Sequence, residues 1–196
     1  QLAMPETGIG FFPDVGGTWL LSRAPGELGS YFGLTGTAMN GADAIAAGFA
    51  DAAIAAGQWG DLRAALTGLT SRATAAHVRD TIAQFAVAPG AAPAAAERAR
   101  IDRLFAFDTV EDIVAALAAD GAEFALATLK TLARKSPTSL KVTLKLLRLA
   151  RGAASLEACL TQEYRASLEV IATREFREGV RAAVIDKDRN PRWQPA

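Results

Sequence analysis

From about residue 58 to the end, apolar residues recur every three or four positions with almost no alternation, so any core this chain builds must be mainly helical. The spacing predicts helices over about 58–68, 74–86, 94–106, 109–119 and 121–134. Ser136-Pro137 then opens a strong helix running to about Arg151, with Ser as N-cap and Pro at the first helical position. A long helical pair follows, in which Leu156, Leu160, Tyr164, Leu168 and Ile171 form one stripe and Phe176, Val180 and Val184 continue the theme. Pro89, Gly90 and Pro93 make 86–96 the best linker, though its alanines are too helix-prone for a long tether. Nothing past Lys187 reads as helix, since the tail IDKDRNPRWQPA carries Pro191 and Pro195.

The first 57 residues break this pattern. Leu2 to Met4 reads as the end of a strand, stopped by Pro5, and the stretch MPETGIGFFPDVGG follows as a rigid Gly- and Pro-rich loop. Helical spacing covers Val15 to Arg23 and again Glu27 to Leu34. A short helix begins at Gly41 and is closed by Gly48, and Ala50 to Ala55 fits a brief strand. A strand near Leu2 needs partners that these residues do not supply. Together with a start at Gln1 rather than Met, this gives the expectation that the sequence is part of a longer polypeptide whose remainder completes a sheet.

Length and composition narrow the function classes. At 196 residues the chain can bury a real core. Lys plus Arg and Asp plus Glu number 21 each, so no overall field attracts nucleic acid or an anionic membrane, and any anion site must be local. No apolar run reaches the length of a membrane span. A single cysteine, Cys159, excludes an internal disulfide framework and fits a reducing cytosol, so a cytoplasmic protein is expected.

Glu6 and Asp14 are the only acids among the first 26 residues, and both sit in the apolar loop. If the loop folds back, the two carboxyls share one pocket and their pKa values are pushed apart, giving an acid and a base near neutral pH. Plainer readings stand beside this one. Asp14 directly precedes a helical run and reads equally as its N-cap, while Glu6 after Pro5 also reads as a solvated loop acid. Gly16-Gly17 lacks the spacing and Lys of a P-loop and reads as a close-packing pair.

His77, the only histidine, lies in the polar helix AAHVRD, which leaves no Ser-His-Asp triad and no metal cluster. Cys159 reads as a buried structural thiol, and Lys141, Lys145 and Arg148 as a solvated basic face. Asp186-Lys187-Asp188 reads as a surface turn, and Trp193 as a plug that pins the tail.

MPETGIGFFPDVGGTWLLSR, followed by GELGSYFGLTGTAMNGADAIAAGFAD, resembles the crotonase (enoyl-CoA hydratase/isomerase) superfamily. Pro13-Asp14 before the Gly-Gly pair, SPTSLKVTLKLL, LTQEYR and FREGVRAAVIDKDRNPRWQP are closer to its 3-hydroxyisobutyryl-CoA hydrolase branch. The resemblance implies an α/β crotonase-like fold. Residues 1–57 would end its acyl-CoA-binding core, and 58–196 would form the C-terminal helical region. The oxyanion hole and most of the sheet lie N-terminal to MPETG in relatives, so the N-terminal portion of the same protein is an expected partner. The resemblance also implies an acyl-CoA substrate, no metal, no cofactor beyond the CoA carried by that substrate, and a possible homo-oligomer. Carried over by motif, Glu6 matches the superfamily's Pro-Glu acid and Asp14 the additional acid of the hydrolase branch. Both then become catalytic and substrate-binding residues in the hydrolysis of a small 3-hydroxyacyl-CoA. An enoyl-CoA hydratase, or an inactive piece serving packing or oligomerisation, is the alternative.

Overall fold

The computed structural model describes residues 1–194 and is mostly helical. Pro195 and Ala196, the last of the tail, lie outside the described residues. The helices are α1 (Gly17–Ser22), α2 (Leu28–Thr35), α3 (Gly41–Ala46), α4 (Trp59–Thr67), α5 (Ala75–Phe85), α6 (Pro93–Ala96), α7 (Arg98–Leu104), α8 (Val110–Asp120), α9 (Glu123–Leu132), α10 (Pro137–Arg151), α11 (Leu156–Ile171) and α12 (Arg174–Val180). A π-helical segment, Arg181–Ile185, extends α12.

Local signals account for many helix starts. Ser136 caps α10 by accepting the Ser139 N–H at 3.0 Å, ahead of Pro137. Thr109, Ser155 and Thr173 accept the third-residue N–H of α8, α11 and α12 in the same way. The predicted helix over 94–106 divides into α6 and α7 at Glu97.

The strand content is slight. Ala53–Ile54 (β1) pairs antiparallel with Ala86–Val87 (β2), inside the stretch expected to be a linker. Leu2 makes only an isolated antiparallel bridge to Met39, through bonds of 3.1 and 2.7 Å.

The core centres on α2, every residue of which is buried. Tyr31 meets Phe32, Phe105 and Phe124 with ring centroids 5.1, 5.6 and 5.5 Å apart. Leu21, Leu28 and Phe32 share this core with Ile101, Leu132 and Leu144, so residues on both sides of position 57 pack together. Close approach of α1 to α2 rests on Gly29, where a Cβ would stand 1.7 Å from the Leu21 carbonyl oxygen. A second cluster joins Phe12 to Leu146 and Val170, with Phe11 and Phe176 at its edge.

Two surface readings change. The stripe selected by periodicity on α11 is the exposed one: Tyr164 is 65% and Leu168 55% exposed, while Cys159, Glu163 and Val170 are buried. The helix is apolar on two faces, and spacing alone does not choose between them. Arg148 is no solvated stripe residue either. It bonds Glu27 at 3.0 Å, Asp108 at 3.2 Å and the Phe105 and Phe107 carbonyls at 2.7 Å each. Lys141 pairs with Glu111 at 2.8 Å.

Candidate active site

Glu6 opens a 3-10 turn, Glu6–Ile9, that Gly10 closes in the left-handed region at φ 75°. Three neighbours fix this turn. The Thr7 hydroxyl donates to the Leu34 carbonyl at 3.1 Å, and the Ser136 N–H donates to the Thr7 carbonyl at 3.0 Å, tying the turn to α2 and to the start of α10. Helix α12 presses on it from behind. A Cβ at Gly10 would lie 2.4 Å from the Glu175 carbonyl oxygen, and one at Gly179 would lie 2.1 Å from that of Ile9. Only glycine permits both approaches.

The chain then runs through Phe11 and Phe12, stacked at 4.5 Å, and the buried Pro13 to Asp14. Val15 follows with φ 56°, a left-handed conformation that is strained for a β-branched residue, and its side chain is 85% exposed. Gly16 continues at φ 83° into α1. A Cβ on Gly17 would reach Met4 Cε at 2.5 Å, so the glycine pair serves one left-handed turn and one close contact.

Asp14 does not cap α1 with its side chain. That role belongs to Glu163, 147 residues beyond Gly16 and 3% exposed. Its Oε2 accepts the Gly16 N–H at 2.8 Å, and its Oε1 accepts the Thr18 N–H at 3.0 Å together with the Thr18 hydroxyl. A buried carboxylate thus satisfies donors that the helix start leaves open and meets the positive end of its dipole. Glu175 does a similar task for α10. Its Oε2 accepts the Ser136 hydroxyl and, at 3.3 Å, the Thr138 N–H.

Both acids of the loop have raised pKa values. Burial raises the Glu6 carboxyl above the ordinary range, and the charge of Asp14 raises it further, against a lowering bond from its own backbone N–H. Asp14 is raised first by burial and then by the charge of Glu163, again against its own N–H. Glu6 Oε2 is buried and has no hydrogen-bond partner among the described residues. A buried carboxyl oxygen left free is costly, and its pKa moves toward the range useful for proton transfer near neutrality.

The other candidates take no part. His77 lies exposed and completes a capping box with Thr74, and Cys159 is fully buried. Asp186 and Asp188 hold Arg181 at 2.6 and 2.8 Å, and the Trp193 indole N–H bonds the Arg134 carbonyl at 3.0 Å. An apolar cavity of about 630 Å³ lies between α8, α9 and α10, lined by Val114, Leu129 and Leu140 and by neither loop acid. Glu163 and Glu175 escape sequence reasoning because each acts across more than 35 residues. The available signal for Glu163 was its place four residues after Cys159, on the helix face that is buried.

The sequence pattern of the family described as enoyl-CoA hydratase/isomerase matches residues 1–196. The mitochondrial 3-hydroxyisobutyryl-CoA hydrolase of Xenopus laevis is 41% identical over 198 residues, covering 98% of this chain and 51% of its own length. The solved structure of a carnitinyl-CoA dehydratase from Mycobacterium thermoresistibile is 44% identical with a TM-score of 0.88, covering 99% of this chain and 54% of that one. An enoyl-CoA hydratase from Rhodobacter sphaeroides 2.4.1 is 42% identical at a TM-score of 0.80, with coverage of 98% and 54%. The chain therefore spans about half the length of the curated relatives it matches. The expectation of a cytoplasmic protein is overturned by these relatives, since the hydrolases of Xenopus and human are mitochondrial by name. The physical reason is plain: a lone buried thiol forms no internal disulfide in any compartment, so it does not separate one from another. With the family pattern matched over residues 1–196 and solved neighbours at TM-scores of 0.88 and 0.80, the chain belongs to the enoyl-CoA hydratase/isomerase family.

Proposed function

We propose that the protein carrying this chain hydrolyses a small 3-hydroxyacyl-CoA thioester, 3-hydroxyisobutyryl-CoA giving 3-hydroxyisobutyrate and free CoA, as in valine breakdown. The observation that carries this reading is the buried, unpartnered oxygen of Glu6 beside Asp14. Glu6 either takes a proton from a water that attacks the thioester carbonyl, or attacks that carbonyl itself to give an acyl-enzyme anhydride that water then hydrolyses to the free acid. Asp14 binds the substrate hydroxyl or passes a proton to the thiolate that leaves as the C–S bond breaks. Backbone N–H donors in the N-terminal portion of the protein hold the tetrahedral oxyanion. Residues 1–57 end the acyl-CoA-binding core and 58–196 form the helical region. No cofactor is needed beyond the CoA of the substrate.

Release of free thiol from 3-hydroxyisobutyryl-CoA by the complete gene product tests the reading. Glu6→Gln and Asp14→Asn each lower the rate by about 100-fold or more. Glu6→Gln leaves the thermal midpoint unchanged or raises it, because it removes a carboxyl whose ionisation burial opposes. Hydrolysis at the wild-type rate in both variants removes the assignment.

A second reading is supported by the two solved neighbours, a carnitinyl-CoA dehydratase and an enoyl-CoA hydratase. Rapid hydration of crotonyl-CoA with no thiol release would establish it in place of hydrolysis.

A further inference from the structure

We infer that Glu163 is a positioning residue for the reaction, holding the Asp14 turn in place from the buried face of α11. The inference rests on the reading of Asp14 as a functional acid. Three donors converge on this one carboxylate: the N–H groups of Gly16 and Thr18 at 2.8 and 3.0 Å, and the Thr18 hydroxyl. They flank the left-handed Val15-Gly16 pair, which is the part of the loop least able to hold its own conformation. α1 has only six residues and too few internal bonds to fix its own start. With no cap from Asp14, and with Val15 exposed, the turn has Glu163 as its clamp on the α1 side. Cys159 and Val170, buried on the same face of α11, seat the helix so that this carboxylate cannot swing away.

Glu163 also acts through charge. The charged groups set against Asp14 are Glu6, from the 3-10 turn, and Glu163, from α11. α1 ends at Arg23, which stacks on Trp19 with its guanidinium carbon 3.0 Å from the ring centroid, and α12 turns Glu175 toward Ser136. Like charge thus acts on each loop acid from a neighbouring carboxylate. Glu163 disfavours ionisation of Asp14, and Asp14 disfavours ionisation of Glu6. One side chain on a distant helix therefore holds the turn that carries Asp14 and adds its charge to the burial that raises that carboxyl.

The test compares wild type with Glu163→Gln in the complete gene product, reading kcat, KM and the pH profile of kcat/KM. The amide keeps the volume and one acceptor but loses the charge. The expected result is a fall in kcat of about 10- to 100-fold with little change in KM, as for a displaced catalytic group. The limb that reports Asp14 moves to lower pH, since a repelling charge is gone. Titration of ¹³C-labelled aspartate by NMR reads the same shift without substrate, which separates failure of this inference from failure of the hydrolase reading. Glu175→Gln, which disturbs the α10 cap, lowers stability and leaves that titration where it was. Thr18→Val serves if Glu163→Gln does not fold. It removes a donor that partly offsets the Glu163 charge, so the Asp14 titration moves upward instead. A folded Glu163→Gln, or failing that a folded Thr18→Val, with an unmoved Asp14 titration overturns the inference.

Discussion

Residues 6–36 and residues 53–92 are built on opposite principles. In the first region the backbone is gripped from several sides by α10, α11 and α12, and glycines admit contacts that no other residue would allow. In the second, only Leu62 and Thr81 are buried, Trp59 is 59% exposed, and α4 and α5 lean chiefly on each other beside the two-residue β1–β2 ladder. The candidate acids lie in the gripped region. A carboxyl can be kept partly desolvated and raised in pKa only where the surrounding backbone has no freedom to open toward water.

The largest expected effect belongs to Glu27, at the start of α2. Its Oε2 receives Arg151 at 2.6 Å, Ser30 at 2.6 Å and Arg148 at 3.0 Å, and the residue is 8% exposed. Glu27→Ala leaves two guanidinium groups without their shared partner and should cost about 3 kcal/mol in urea unfolding, some of it recovered because Arg151 is partly exposed to water. Burial raises this carboxyl, but the bonds from Arg151, Ser30 and Arg148 outweigh it, and the net shift is downward. The sign follows. The folded pKa lies below the unfolded value of 4.5, so this stabilisation is fully present above 4.5 and is lost as pH falls through the folded pKa. The variant should lose less stability than wild type across that acid range. An equal loss in both would mean that the ion cluster does not anchor α2.

Gly10→Ala comes next and probes the grip on the Glu6 turn directly. The substitution must accept φ 75° and a Cβ 2.4 Å from the Glu175 carbonyl oxygen, which is backbone and cannot rotate aside. A loss of about 2 kcal/mol or more, read as a lower urea midpoint at unchanged slope, is expected. If the complete gene product is the proposed hydrolase, its thiol release should fall with it, because relief of this clash displaces the Glu6 turn.

How much of this was legible in the sequence depends on how far each interaction reaches along the chain. The caps at Ser136, Thr109, Ser155 and Thr173 act over three residues, and the start of α10 at Ser136-Pro137 is read correctly from its signal. Glu6 and Asp14 stand out as candidates because an apolar loop with only two acids is unusual, and because their motif resembles a family's. Glu163, Glu175 and the partners of Arg148 were not visible. Each bridges residues from 37 to 147 apart, and no periodicity encodes such a pairing. The exposed stripe of α11 shows the same limit from the other side: apolar spacing identifies a helix, but only its tertiary neighbours decide which face is buried.

The smallest effect is the sharpest check on the contrast. Gly60 lies in the first turn of α4, and a Cβ added there meets nothing within 4 Å. Its backbone is helical, so alanine brings no strain and lowers the conformational entropy of the unfolded chain. Gly60→Ala should therefore stabilise by about 0.5 kcal/mol, less than a mid-helix replacement because the position is close to the helix start. The same chemical change thus has opposite signs at Gly10 and Gly60, and the difference comes from the neighbouring backbone rather than from glycine itself. If thermal unfolding shows Gly60→Ala to be as damaging as Gly10→Ala, then α4 is gripped by contacts like those around the Glu6 turn. The distinction between a clamped loop frame and a loosely held helical pair would then fail.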